Sequence, residues 1–283
     1  MTYFHVYTKG IEDSLIFWDE EDYIAGMNFV AIASYRLNIK ILAFVLMSNH
    51  FHFVISGDKA SILKFINQFK SLMSRYIHAK YGLNKYLKHL DTSLSYIETD
   101  NEGLKKTIAY VLSNPVKAGV NTIVSGYSWG SASCYFNDLT DSGALPLAQF
   151  AVRYQRSILH TAKRLPDSWL LAKKGYILPI SYVDYKHVEA LFGRSTSYEY
   201  FISRSRSYKK STQDNMIFSD STLNAALKEV LDKKYSVNSI HDMDSSLKRM
   251  LLRDLKTRFT CPVSQLARVT CMELKEVLLL LEN

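Results

Sequence analysis

Two histidines, His50 and His52, stand one residue apart in the run LMSNHFHFVISG at 46–57. Side chains alternate along a strand, so an extended His-x-His places both imidazoles on one face and Phe51 and Phe53 on the other. Two neighbouring imidazoles are half of a metal site. They are equally two half-buried residues that each find a hydrogen-bond partner, and the spacing alone leaves both readings open.

A second feature is a localised charge. The chain of 283 residues carries a net charge of +8, and residues 151–210 hold 12 Lys/Arg against 4 Asp/Glu, which accounts for all of it. Phosphates are the partners such a stretch fits, with Arg153, Arg156, Lys163, Arg164, Lys173, Lys174, Arg204 and Arg206 as candidate contacts. Tyr154, Trp169, Tyr176, Tyr182, Tyr185, Tyr198, Tyr200 and Tyr208 are interleaved with them, as stacking platforms for bases would be. A solvated basic surface over core aromatics has the same composition.

The elements that must position these residues follow from pattern. TYFHVYTKG alternates and ends at Gly10, which predicts a strand. An acidic first turn from Asp19 opens a helix to residue 37, and IKILAFVLM is apolar enough for a central strand. Ser48 and Asn49 supply a turn into the strand HFHFVIS. Apolar residues at three- and four-residue intervals predict a helix over 59–81, stopped by Gly82. LSYIE reads as a strand, and Asn101 to Ser113 as a helix broken by Pro115. This order implies an α+β fold with a ferredoxin-like antiparallel sheet and helices on one face, followed by a mostly helical C-terminal region.

Domain boundaries are expected at 1–137 for the α+β domain, 138–150 for a linker, and 151–283 for the basic helical region. In VSQLARVTCMELKEVLLLLEN, Leu266, Ala267, Val277 and Leu280 are spaced as in a helix-turn-helix, although Glu273 and Glu276 would face phosphates poorly. A helical hairpin used for packing fits as well. The three cysteines are scattered with no C-x-x-C pair, which argues against a disulfide framework or a cysteine zinc site. The opening residues carry no secretory pattern, and no apolar run spans a bilayer, so a cytoplasmic protein without membrane partners is expected.

Four segments in order, HVYTKG at 5–10, FVLMSNHFHFVI at 44–55, AYVLSNPVKAG at 109–119 and GYSWGSASCYF at 126–136, resemble the REP-associated tyrosine transposases, a branch of the single-tyrosine HUH transposases. The resemblance spans nearly all of residues 3–137 and implies an HUH nuclease-like catalytic domain. It assigns His50 and His52 to the metal, the nucleophile to Tyr110, and completion of the metal site to Asn114, four residues on and on the same helix face. Ser48 stands where many members have Pro. Ala109 replaces a frequent Arg, and Lys117 keeps the basic character of another. Tyr76 and Tyr96 are rival tyrosines, Asn114 could instead cap the short turn before Gly119, and His5 is expected to be structural.

The chemistry is coherent. A phosphodiester resists attack because its oxygens are anionic, so a divalent metal that polarises it assists in-line displacement. Two imidazoles and an amide oxygen leave coordination positions open and suit Mg²⁺ or Mn²⁺, while also admitting Zn²⁺. The resemblance implies a DNA endonuclease and strand transferase acting on single-stranded or hairpin (REP-like) DNA through a 5′-phosphotyrosine, possible as a homodimer. The alternative is a catalytically inactive DNA-binding protein of hairpin or sequence specificity.

Overall fold

The computed structural model describes residues 2–8, 15–84, 87, 90–98, 100–137, 143–206, 220–259 and 261–282. Gly10, Tyr208 and residues 138–142 of the expected linker lie outside them, as does the side chain of Arg206. Contacts group the chain into two compact units. The first comprises residues 1–9, 23–46 and 51–210; the second comprises 10–22, 47–50 and 211–283.

The first unit is built on a four-stranded sheet of β1 (Tyr3–Thr8), β2 (Lys40–Met47), β3 (His50–Ser56) and β4 (Thr92–Ile97). Its strand order is β2-β3-β1-β4. With α1 (Glu20–Leu37) between β1 and β2 and α2 (Lys59–Tyr81) between β3 and β4, this is the ferredoxin-like arrangement. β1 runs antiparallel to both β3 and β4, with Tyr7 opposite His52, His5 opposite Val54, and Phe4 opposite Tyr96.

The two faces of the sheet differ in kind. Phe51 and Phe53 meet Phe69 of α2 edge to face, and Phe53 also meets Phe65, which makes that face the core. All four rings are fully buried. α2 has the predicted bounds because Asp58 accepts a bond from the Ser61 amide at its start. At its end Gly82, at φ 73°, donates its amide to the His78 carbonyl.

Residues on both sides of position 137 complete this unit. The strip Trp129–Ser131 lies along the outer edge of β2, where the Leu46 amide donates to the Trp129 carbonyl at 2.8 Å and the Ser131 amide to the Phe44 carbonyl at 3.0 Å. Gly130 is needed there, since a Cβ would stand 2.8 Å from the Phe44 oxygen. Asn28 of α1 is fully buried; it donates to the carbonyls of Ile158 and Gly175 and accepts from the Ile177 amide. These bonds hold the start of the basic segment against α1.

After β4 come α3 (Asn101–Leu112) and the one-turn α4 (Asn114–Lys117). β5 (Leu145–Pro146) pairs with β6 (Leu170–Leu171), and α5 (Val152–Leu159), α6 (Tyr185–Phe192) and α7 (Ser195–Arg206) follow. α7 packs along α3.

The second unit holds α8 (Asp220–Val230), α9 (Ser245–Phe259), α10 (Val263–Thr270) and α11 (Leu274–Glu282) around Leu223, Leu251, Leu255, Leu266 and Val277. The turn between α10 and α11 is made at Cys271, whose φ of 54° is the left-handed conformation that Gly usually supplies. Leu266, Ala267, Val277 and Leu280 face this core as their spacing predicts, whereas Leu278 and Leu279 are exposed.

Candidate active site

α3 carries Tyr110 to the sheet face opposite the phenylalanine core. The helix starts because Asp100 accepts a bond from the Gly103 amide at 2.9 Å. At its far end, on the last turn, the Tyr110 ring meets His52 edge-on at 5.8 Å and 89°, and His5 at 5.9 Å and 76°. Tyr110 remains 42% exposed, so its ring is reachable from solvent.

His52 is buried, and its Nδ1 lies 3.0 Å from Nε2 of His5, with the two rings stacked at 5.2 Å. Burial pushes the His5 imidazole down to about 4, so it is neutral at ordinary pH. One ring must then donate and the other accept. With His52 donating from Nδ1, its Nε2 carries the lone pair that a cation needs. An open cavity of about 490 Å³ is lined by His5, Tyr7, His52, Ser95, Lys106, Thr107 and Tyr110.

His50 opens β3, and its Nδ1 is 2.8 Å from Oδ1 of Asn49. Asn114 does not cap the turn before Gly119, because Ser113 occupies the cap position and Asn114 is the first residue of α4. Its Nδ2 donates to the carbonyls of Tyr110 at 2.9 Å and Val111 at 3.2 Å. Those bonds tie the side chain to the α3 terminus and leave Oδ1 as the atom through which ligation would run. Among the described residues no group of three or more His, Cys, Asp or Glu is placed to hold a metal ion. The sequence-derived set is a different one, two imidazole nitrogens and one amide oxygen, and His5 beside His52 is the kind of partner that orients a ligating ring.

Lys117 stands over the Tyr110 ring, with Nζ 4.2 Å from its centroid, and burial holds its ammonium below the usual lysine range. Arg204 of α7 lines a neighbouring cavity with Tyr110 and Lys117. The other candidates are dispersed. Arg153 and Arg156 are exposed on α5, Lys163 and Arg164 on the following loop, and Lys173 and Lys174 line a separate cavity with Tyr127.

Of the interleaved aromatics, Tyr176 and Tyr198 are core residues, while Tyr154 and Tyr200 are exposed. Ala109 is fully buried. The rival Tyr96 stands opposite Phe4 and therefore on the other sheet face from His5; Tyr76 packs on Phe29 and His160. Sequence reasoning gave His5 only a structural role and did not single out Tyr7 or Lys106, all three of which line this cavity. The signal for the first two was the alternation Tyr3, His5, Tyr7, which puts polar aromatics on one face of β1 as surely as His-x-His does on β3.

Residues 17–114 match the family of IS200-like transposases. The match takes in β2, β3 and α3, hence His50, His52, Tyr110 and Asn114. A solved structure described as a REP-associated tyrosine transposase bound to a REP hairpin is similar over 46% of this chain and 75% of its own, at 19% identity and a TM-score of 0.35. No curated protein matches the sequence. No helix among the described residues is long and apolar enough to cross a membrane.

Proposed function

We propose that the chain is a metal-dependent single-stranded DNA endonuclease and strand transferase acting on hairpin DNA. The observation that supports this most is the Tyr110 ring set edge-on against His52, half exposed, in a segment that matches a transposase family. Tyr110 Oη attacks phosphorus and loses its proton, the P–O3′ bond breaks, and the departing oxygen takes up a proton as a free 3′-hydroxyl. The product is a 5′-phosphotyrosine, and a second 3′-hydroxyl reverses the step to transfer the strand.

His50, His52 and Asn114 would hold Mg²⁺ or Mn²⁺, which when bound supplies Lewis-acid polarisation of the scissile phosphate. His5 holds the His52 ring. Lys117, beside Tyr110, places a cation where the phosphate's charge would lie.

Incubation of the protein with a 5′- and 3′-tailed REP-type hairpin oligonucleotide in Mn²⁺, followed by denaturing electrophoresis, tests this reading. A protein–DNA adduct is expected for the wild type and none for Tyr110→Phe. An adduct that persists in Tyr110→Phe sinks the nucleophile. Hairpin binding without an adduct in Mg²⁺, Mn²⁺ or Zn²⁺ supports the non-catalytic alternative.

A further inference from the structure

Beside the site just described lies a second cavity, of about 440 Å³, which shares Tyr110 and Lys106 with the first. Its near wall comes from α3 and α4, and its far wall from Tyr200, Phe201 and Arg204 of α7. The walls are mainly apolar and aromatic. The rim is cationic. Arg204 Nη1 donates to the Tyr200 hydroxyl at 2.7 Å, which fixes both side chains, and Lys117 stands over Tyr110. The acidic residue present, Glu102, is paired with Lys106 at 2.7 Å.

An apolar wall serves phosphates poorly, and a cationic rim serves a purely apolar ligand poorly. A nucleotide needs both, a π-surface for its base and cations for its phosphate. The volume lies in the range of small-molecule pockets. Tyr200 is 53% exposed, so its ring is open to a ligand. α7 lies outside the residues that match the transposase family.

We propose that the α3–α7 cavity is a nucleobase pocket for single-stranded DNA, in which one base next to the scissile phosphate stacks on Tyr200, with Phe201 standing edge-on to that ring as the apolar wall, while Lys117 and Arg204 hold its phosphate. This deepens the proposed function and rests on it for the words "scissile phosphate" alone; base binding itself does not require cleavage.

The test is therefore made in EDTA, by fluorescence anisotropy of the full chain with fluorescein-labelled dT12 and with an abasic 12-mer of the same charge. The wild type binds dT12 more tightly than the abasic strand. Tyr200→Ala weakens dT12 binding on the order of 10-fold, as loss of one stacked base does, and leaves the abasic strand unchanged. Phe201→Leu, which keeps the volume against Phe192, acts in the same direction. The pocket is wrong if Tyr200→Ala binds dT12 as the wild type does, or if it loses both strands equally. In the second case Arg204 has been released and the effect is one of charge alone. An absent Mn²⁺-dependent adduct with base discrimination intact sinks the catalytic reading and spares the pocket; the reverse pattern sinks only the pocket.

Discussion

Two polar clusters in this protein are built in opposite ways. In the second unit, Asp220 is buried and its carboxylate is saturated. Gln265 Nε2 donates to it at 2.8 Å, Arg268 forks onto it through Nε at 3.1 Å and Nη2 at 3.2 Å, and the Ser48 hydroxyl donates as well. Such a group has no capacity left for chemistry. In the first unit, His5, His52 and Tyr110 touch one another but also line an open cavity, and the Tyr110 ring is only partly covered. A cluster that closes on itself holds a fold together; one that lines an open cavity can meet a ligand.

The contrast makes separate demands on mutants. The largest effect belongs to Tyr110→Phe, which removes one oxygen; adduct formation should fall below detection while the urea midpoint stays within experimental scatter of the wild type. Asp220→Ala should do the converse. It leaves Arg268 facing a buried gap, and a loss of about 3 kcal/mol in urea unfolding of the helical unit is expected. If Asp220→Ala abolished the adduct at unchanged stability, the division between the clusters would collapse.

A smaller effect concerns pH. Burial lowers His5 in the folded chain to about 4, from an ordinary value of 6.5, so the unfolded chain takes up the proton first. The stability that neutral His5 contributes is full above pH 6.5 and lost as pH falls from there toward 4. In metal-free protein this amounts to about 2 kcal/mol after allowing for partial exposure. His5→Gln should flatten that part of the pH profile, measured as the difference between the two urea midpoints at pH 7 and pH 4.5. The smallest effect is expected for Lys117→Met. Loss of a cation over a ring and beside a phosphate should weaken single-stranded DNA binding by a few-fold at low salt, with less loss at high salt.

Local pattern bounded β2, β3 and α2 closely, with Gly82 the clearest stop signal, but β2 is an edge strand and not the central one its apolar run suggested, because the strip Trp129–Ser131 covers its outer side. β3 begins at His50, so both histidines lie in the strand from whose alternation a shared face was expected. Pattern could not show that Tyr7 would stand opposite His52, because strand register between β1 and β3 is set by packing some forty residues away. Tyr110 came from resemblance alone, since a tyrosine on an amphipathic helix carries no local mark of its neighbour. In the basic segment, composition could not separate Tyr198, which is core, from Tyr200, which is exposed two residues later. Only the helix phase of α7 against α3 decides that.

The strip Trp129–Ser131 along β2 has a practical consequence. Unpaired strand edges recruit other strands, and on β2 that edge is occupied by backbone bonds from residues far beyond the matched segment. A shortened chain ending near residue 120 would keep all four strands, both histidines and Tyr110, yet present a bare, apolar edge running from Ile41 to Met47. Such a fragment is expected to aggregate, so the smallest soluble portion of this fold is longer than the part that carries His50, His52 and Tyr110.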